Sequence, residues 1–351
     1  MRVVIVGAGY AGAIAANRLA RRVPKADIVM VNPRPDFVER IRLHQLIAGT
    51  GPATRSLRAM IDDRVALRIA AATEIGDGAL SLSDGGELGF DALVYAAGGS
   101  VVAPEGAVAV GDVESARGAA TQLAQLRPGA LVEVVGGGLT GVETAAEVAT
   151  ARPDVRVRLT ADDEIAESLG ESARERVRTA LQTMGVELRR GHWGAATADL
   201  TLWAVARQVS ALAADSGLAV DGDGRVLVDS HLRSVTDRRV WAAGDGAAVA
   251  GARMSCQAAI PQGAYAADAI ARESRGRTAA PFGMGFTAQC LSLGRRDGVV
   301  QRVHRDDEPA RQWLGGRGLA GRSAALVKEQ VCRSTVLAVR RSLSVSLPAP
   351  S

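Results

Sequence analysis

Lysine, aromatics and cysteine are all scarce in this sequence, and each scarcity excludes something. The three cysteines, Cys256, Cys290 and Cys332, lie far apart, and no CxxC or CxxxxC pair occurs. Neither a metal cluster nor a redox disulfide of the usual spacing is expected, so no metal is assigned and the cysteines read as small buried hydrophobes. Aromatics are 3% of residues, too few for a base-stacking platform. The net charge of +4 comes from arginines scattered among acids rather than clustered, so no nucleic-acid partner is expected. Lysine is confined to Lys25 and Lys328. No apolar run approaches a transmembrane segment, and Val3 enters the first strand with no signal segment before it. The expectation is a cytoplasmic protein, with peripheral contact at the inner face of a membrane left open.

What the 351 residues do contain is glycine in a particular arrangement. An apolar β-branched run at 3–6 reads as a buried parallel strand. It ends at Gly7-x-Gly9-x-x-Gly12, and an Ala-rich helical stretch follows at 10–22. In such a turn the first glycine permits the tight bend, the second lets backbone approach a pyrophosphate, and the third lets helix pack on strand. The phosphates then sit at the positive end of the helix. A second strand follows at 27–31. The acid that normally binds ribose hydroxyls at its end is replaced by Asn32, a weaker but still competent hydrogen-bonding group.

The same pattern returns at 131–143. A strand runs into Gly136-x-Gly138-x-x-Gly141, and Ala145 stands where Ala16 stands after the first turn. A further strand at 155–159 ends at Thr160, again without the acid. One dinucleotide explains one such unit; two imply two nucleotides bound end to end. Asp162, Asp163 and Glu164 follow directly, and a 2′-phosphate there would meet like charge, which favours NADH over NADPH.

Other stretches supply candidates. Arg40 and Arg42 could contact cofactor phosphates or a ring edge, or form a solvated face, and His44 and Gln45 follow them into a short helix up to residue 48. Residues 65–82 read as a β-meander. A buried strand at 90–96 runs into Ala97-Gly98, small enough to pass a flat ligand. Residues 240–246 end an apolar strand in Gly244-Asp245, where the Asp can bond a sugar-alcohol chain or cap a helix.

These motifs resemble the two-dinucleotide-binding-domain flavoproteins, the FAD-dependent pyridine nucleotide oxidoreductases, and within them the type II NADH dehydrogenase and apoptosis-inducing-factor-like branch. The resemblance implies an α/β fold of two Rossmann-like domains with parallel sheets, β-meander crossovers and a small C-terminal α+β region. FAD would occupy residues 1–112 and 222–279, NAD(P)H an inserted domain at 113–221, and residues 280–351 would cover the flavin. It implies cofactor contacts at Gly7, Gly9, Tyr10, Ala11, Gly12, Ala72 and Asp245 for FAD, and at Gly136, Gly138, Thr140 and Gly141 for the nicotinamide nucleotide. Glu143 matches a position near the two rings and is the candidate catalytic residue; a structural Glu in the first helical turns is the alternative. Electrons would pass to a quinone or other small acceptor.

The departures are local. The respiratory branch carries Ala-Gln-x-Ala-x-Gln beside the flavin; here Gln257 and Ala259 match, Cys256 and Pro261 do not, and Gln262 is displaced by one. A glycine usual where Ala206 stands is missing. Gln289 and Cys290 are candidates to face the ring. A helix expected at 323–341 mixes apolar residues with Arg333, Arg340 and Arg341, for packing on the body or in a homodimer, and 348–351 are expected to be disordered. An FAD tailoring enzyme and a low-turnover NADH-binding redox sensor remain the alternative functions.

Overall fold

The computed structural model describes residues 1–195, 197–205, 208–310 and 319–344; Ala206 and residues 348–351 fall outside them. Along the chain run β1 (Arg2–Val6), α1 (Tyr10–Arg22), β2 (Asp27–Asn32), α2 (Leu43–Ile47), β3 (Val65–Ile69), β4 (Ala72–Ile75), β5 (Ala79–Leu82), β6 (Glu87–Gly89) and β7 (Ala92–Tyr95). Then come β8 (Val108–Ala109), α3 (Val113–Gln125), β9 (Leu131–Val135), α4 (Leu139–Ala151), β10 (Arg156–Ala161), α5 (Glu171–Thr183), β11 (Glu187–Arg190) and β12 (Leu200–Trp203). The chain closes with β13 (Val240–Ala242), α6 (Cys256–Glu273), β14 (Ala288–Ser292), β15 (Gly298–Arg302), β16 (Leu319–Ala320) and α7 (Gly321–Arg341).

Two five-stranded parallel sheets organise the protein. The first has the order β13-β7-β1-β2-β3 and the second β8-β12-β9-β10-β11. In each, the strand leading into the glycine turn is central. Val3, Val4, Ile5, Val132 and Val134 have no exposed surface, as expected of strands covered on both faces. The meander is shorter than expected. Val65–Ile69 pairs in parallel with β2 as the edge of the first sheet, and the antiparallel meander is β4-β5-β6. Hydrophobic alternation looks alike in an edge strand and a hairpin strand, so pairing direction was not legible.

The C-terminal strands β14-β15-β16 form an antiparallel sheet, and α7 packs on it and on α1. Asn17, buried in α1, joins three segments. Its Nδ2 donates to the carbonyls of Met60 (2.9 Å) and Val339 (2.8 Å), and its Oδ1 accepts from the Asp62 amide (2.7 Å). Arg18 adds a bidentate pair to Asp268 of α6, at 2.8 and 2.7 Å. Ala324, Cys332, Thr335, Val336 and Val339 form the inner face of α7, while Leu326, Val327, Val331 and Leu337 are exposed on it. Among the described residues no helix is long and apolar enough to cross a membrane.

Candidate functional site

The first glycine turn is held by the protein at two of its three glycines. A Cβ on Gly7 (φ +97°) would lie 2.3 Å from the Ala96 carbonyl oxygen, and one on Gly12 would lie 1.9 Å from the Gly7 carbonyl oxygen. Strand and helix therefore close on each other only without side chains there. Gly9 differs: its φ is −73°, and a Cβ there would meet nothing of the protein within 4 Å. That Cβ would enter a cavity of about 980 Å³.

The second turn repeats this division. A Cβ on Gly136 (φ +122°) would be 2.8 Å from the Ala204 carbonyl oxygen, one on Gly141 1.9 Å from the Gly136 carbonyl oxygen, and one on Gly138 would meet nothing. Gly138, Leu139 and Thr140 border the same cavity as Gly7 to Ala11. Neither α1 nor α4 has a side-chain N-cap or an acidic residue in its first turn. Both helix ends thus present backbone N–H groups and positive dipole to whatever fills the cavity. Space for a pyrophosphate at each middle glycine is the feature that a two-nucleotide fit requires, and these residues supply it.

The ends of the second strands are not equivalent in the way the sequence suggests. The Gly7 amide donates to Val31 O (2.9 Å) and the Gly136 amide to Thr160 O (2.8 Å), so Thr160 matches Val31 and the counterpart of Asn32 is Ala161. Thr160 is buried, donates its hydroxyl to Glu133 (2.8 Å) and does not border the cavity. The error is one residue of strand register, which periodicity alone does not resolve. The acids Asp162 and Asp163 follow Ala161 and are exposed. Asn32 borders the cavity, but its amide is engaged by the turn, accepting from the Ala8 amide (3.1 Å) and donating to Arg34 O (2.7 Å).

Glu143 lines the same cavity as both turns. It stands one helical turn into α4 and borders the cavity, with its Oε1 accepting from the Ser292 amide (2.9 Å) and hydroxyl (3.0 Å). Lys328 Nζ is 3.0 Å from the same oxygen. Burial pushes the Glu143 carboxyl up, but Lys328, His44 and the Ser292 bond pull it below its ordinary value, so it remains a carboxylate. Burial likewise works against the Lys328 ammonium, and the Glu143 charge outweighs it and raises its pKa well above the usual lysine range. Sequence reasoning missed Lys328 and Ser292; the one available signal was that Lys328 is one of two lysines in an arginine-rich chain.

At the first turn's far side, Ala72, Ala97, Gly98, Gly244 and Asp245 all border the cavity, with Tyr10 and Ala11. Gly244 takes φ +81°, and its amide donates to Gln262 Oε1 at 2.7 Å. Gln262 is thus the residue that holds the Gly-Asp turn, from inside α6. Pro261 is buried in the same helix and does not border the cavity, whereas Cys256, Gln257 and Ala259 do. Gln257 bonds Arg253 (3.0 Å) and Thr287 (3.2 Å).

Arg40 and Ile41 border the cavity, Arg40 at 4.0 Å from Asp245, but Arg42, His44 and Gln45 do not. Arg42 is buried against Glu39 (3.3 Å), Gln45 (3.0 Å) and Glu329 (2.9 Å). His44 is buried behind Glu143, where burial first and the cations Lys328, Arg295 and Arg42 next lower its pKa to about 4 against the pull of Glu143. Helical phase decides this: with Arg40 and Ile41 at the cavity, Arg42, His44 and Gln45 turn into the body.

Gln289 and all three cysteines border the cavity, despite their separation in sequence. Burial pushes all three thiols up, Cys332 to about 11, so they are thiols rather than attacking thiolates. Among the described residues no group of His, Cys, Asp and Glu is arranged to hold a metal.

Comparison with known proteins gives the family. The pyridine nucleotide-disulphide oxidoreductase family matches residues 1–193 and 194–263. An NADH dehydrogenase-like protein of Mycobacterium tuberculosis is 32% identical over 318 residues, covering 76% of this chain and 78% of that protein. Human ferroptosis suppressor protein 1 is 26% identical over 338 residues, covering 86% of this chain and 88% of its own. Among solved structures, NDH2 of Plasmodium falciparum in complex with NADH superposes with a TM-score of 0.75 over 98% of this chain and 99% of that one, at 12% identity. The chain belongs to the pyridine nucleotide-disulphide oxidoreductase family, as an NAD(P)H-linked flavin oxidoreductase of its type II NADH dehydrogenase-like branch.

Proposed function

We propose that the enzyme oxidises NADH and reduces a quinone or similarly small acceptor, with FAD as its flavin. The observation that carries this reading is a single cavity that reaches both glycine turns and has Glu143 in its lining. FAD would lie along residues 1–112 and 222–279, its pyrophosphate at Gly9 and its sugar-alcohol chain at Asp245. The nicotinamide nucleotide would lie on residues 113–221, its pyrophosphate at Gly138, with residues 280–351 closing over the flavin. Flavin accepts hydride from a nicotinamide stacked on it and yields electrons singly or in pairs to an acceptor.

The chain's own part is positioning and electrostatics. Gly7 and Gly12 hold strand and helix together, and Gly9 leaves the helix end open. Gln262 fixes the Gly244 turn and so aims Asp245. Glu143, held ionised by Lys328 and Ser292, is a fixed acceptor for an amide N–H in the wall of the cavity. The three cavity-lining cysteines stay protonated, which disfavours thiolate attack. The preference for NADH over NADPH rests on Asp162 and Asp163, exposed just past the end of β10, which would repel a 2′-phosphate brought near them; each like-charge contact costs about 1 kcal/mol at 4 Å even in water.

Anaerobic titration of the holoprotein with NADH tests the reading, followed by a panel of quinones and dyes. Stoichiometric bleaching of the flavin band, restored by quinone, is expected. A flavin band unmoved by NADH overturns it.

A further inference from the structure

A second cavity, of about 270 Å³, opens on the outer side of Lys328. It lies between the first turns of α7 and the turn joining β14 to β15, and Lys328 and Cys332 border both it and the large cavity. Its polar lining is one-sided. Arg295 and Arg296 come from the turn and Arg322 from α7. Neither Arg296 nor Arg322 has an ion-pair partner among the described residues. Gln45 is 4% exposed, and its carbonyl oxygen accepts from Arg42 Nη1 (3.0 Å), which leaves its amide N–H groups without a partner among the described residues. Lys328 has three N–H donors, of which Glu143 (3.0 Å) and the Cys290 carbonyl (3.1 Å) take two.

The one carboxylate in the lining, Glu329, is already saturated. Its oxygens accept from Arg42 (2.9 and 3.0 Å), Arg333 (2.8 Å) and Arg295 (3.4 Å). The pocket therefore offers cationic and amide donors with no free acceptor to match them. Arg296 and Arg322 are exposed, so an anion reaches them from solvent. Its other wall is apolar, from Ala325 and the exposed Leu326.

We propose that this outer pocket binds a small organic anion, a carboxylate or phosphate carried on an apolar group no larger than about one ring. The head group meets Arg296, Arg322 and Gln45, and the apolar part lies on Leu326. The site is separate from the nucleotide cavity, so it does not depend on which acceptor the enzyme reduces.

Isothermal titration calorimetry on the holoenzyme at low salt tests it, with phenyl phosphate, benzoate and inorganic phosphate as probes. Saturable one-to-one binding of phenyl phosphate or benzoate is expected, and the tighter of the two identifies the head group. The double variant Arg296→Ala/Arg322→Ala should weaken it at least tenfold, as expected for loss of charge-assisted hydrogen bonds. Flavin spectrum and NADH turnover, unchanged in that variant, report that it is folded. Leu326→Ser should weaken the ring-bearing probes and leave inorganic phosphate unaffected. Equal affinity in the double variant, no saturable heat from any probe, or inorganic phosphate binding as tightly as phenyl phosphate would each overturn the assignment.

Discussion

Substituting the middle glycine of the first turn separates folding from cofactor binding. Gly9 has a φ that any residue adopts, and its Cβ would touch nothing of the protein within 4 Å. In the cofactor-free protein Gly9→Ala should therefore be neutral or stabilise by about 0.4–1 kcal/mol, through the reduced entropy of the unfolded chain. The same methyl projects into the cavity at the helix end, where backbone N–H groups would meet a pyrophosphate. Displacing one or two charge-assisted bonds, each worth about 1.5–3 kcal/mol, weakens flavin binding by at least tenfold. Gly12→Ala makes the contrast, since its Cβ would sit 1.9 Å from the Gly7 carbonyl oxygen. Helix and strand must separate, at a cost of about 1–3 kcal/mol or more. Urea unfolding of the stripped proteins gives the first quantity, and fluorescence titration with FAD gives the second. A Gly9→Ala protein that binds flavin as the parent does, or that unfolds more than about 1 kcal/mol earlier, refutes the reasoning. Gly138→Ala extends it, because flavin content should be retained while the KM for NADH rises.

Three further outcomes are expected. Glu143→Gln leaves the Lys328 ammonium buried without its anion, which should destabilise by about 3–5 kcal/mol, and adding Lys328→Met should restore much of the loss in a double-mutant cycle. His44 binds a proton in the unfolded chain near pH 6.5 but in the folded protein only near pH 4, so stability should fall as pH drops through that interval. The loss is about 2–3 kcal/mol between pH 6.5 and 4.5, and urea midpoints across that range should flatten in His44→Leu. Steady-state kcat/KM should favour NADH over NADPH by about tenfold, and Asp162→Ala/Asp163→Ala should narrow the gap.

The glycine turns were legible because their chemistry is local. Three positions within six residues state the turn, the helix entry and the approach of a ligand, and two copies state the pairing of sites. The parallel-sheet fold followed, since each turn needs a buried strand before it. What was not legible depended on phase or on distance in sequence. Thr160 and Ala161 differ by one residue of register, and Arg42, His44 and Gln45 turn into the body although Arg40 does not. Pro261 and Gln262 differ by one helical position, and only the second reaches Gly244. Lys328 reaches Glu143 from 185 positions away along the chain, through the docking of α7 on β14. No local pattern encodes a contact of that kind.

The two parallel sheets differ in how their strands are spread along the chain, and this sets an order of assembly during synthesis. Every strand of the second sheet lies between Val108 and Trp203, whereas the first waits for Val240–Ala242 after β7 ends at Tyr95. At about 5–20 residues per second a ribosome needs roughly 7–30 s to supply that last strand. The inserted sheet is complete earlier, so it forms first and the split sheet closes around an already folded neighbour. Asn17 has its Met60 and Asp62 partners early, but its second N–H waits for the Val339 carbonyl, so docking of the final helix completes the bonding of the amino-terminal helix.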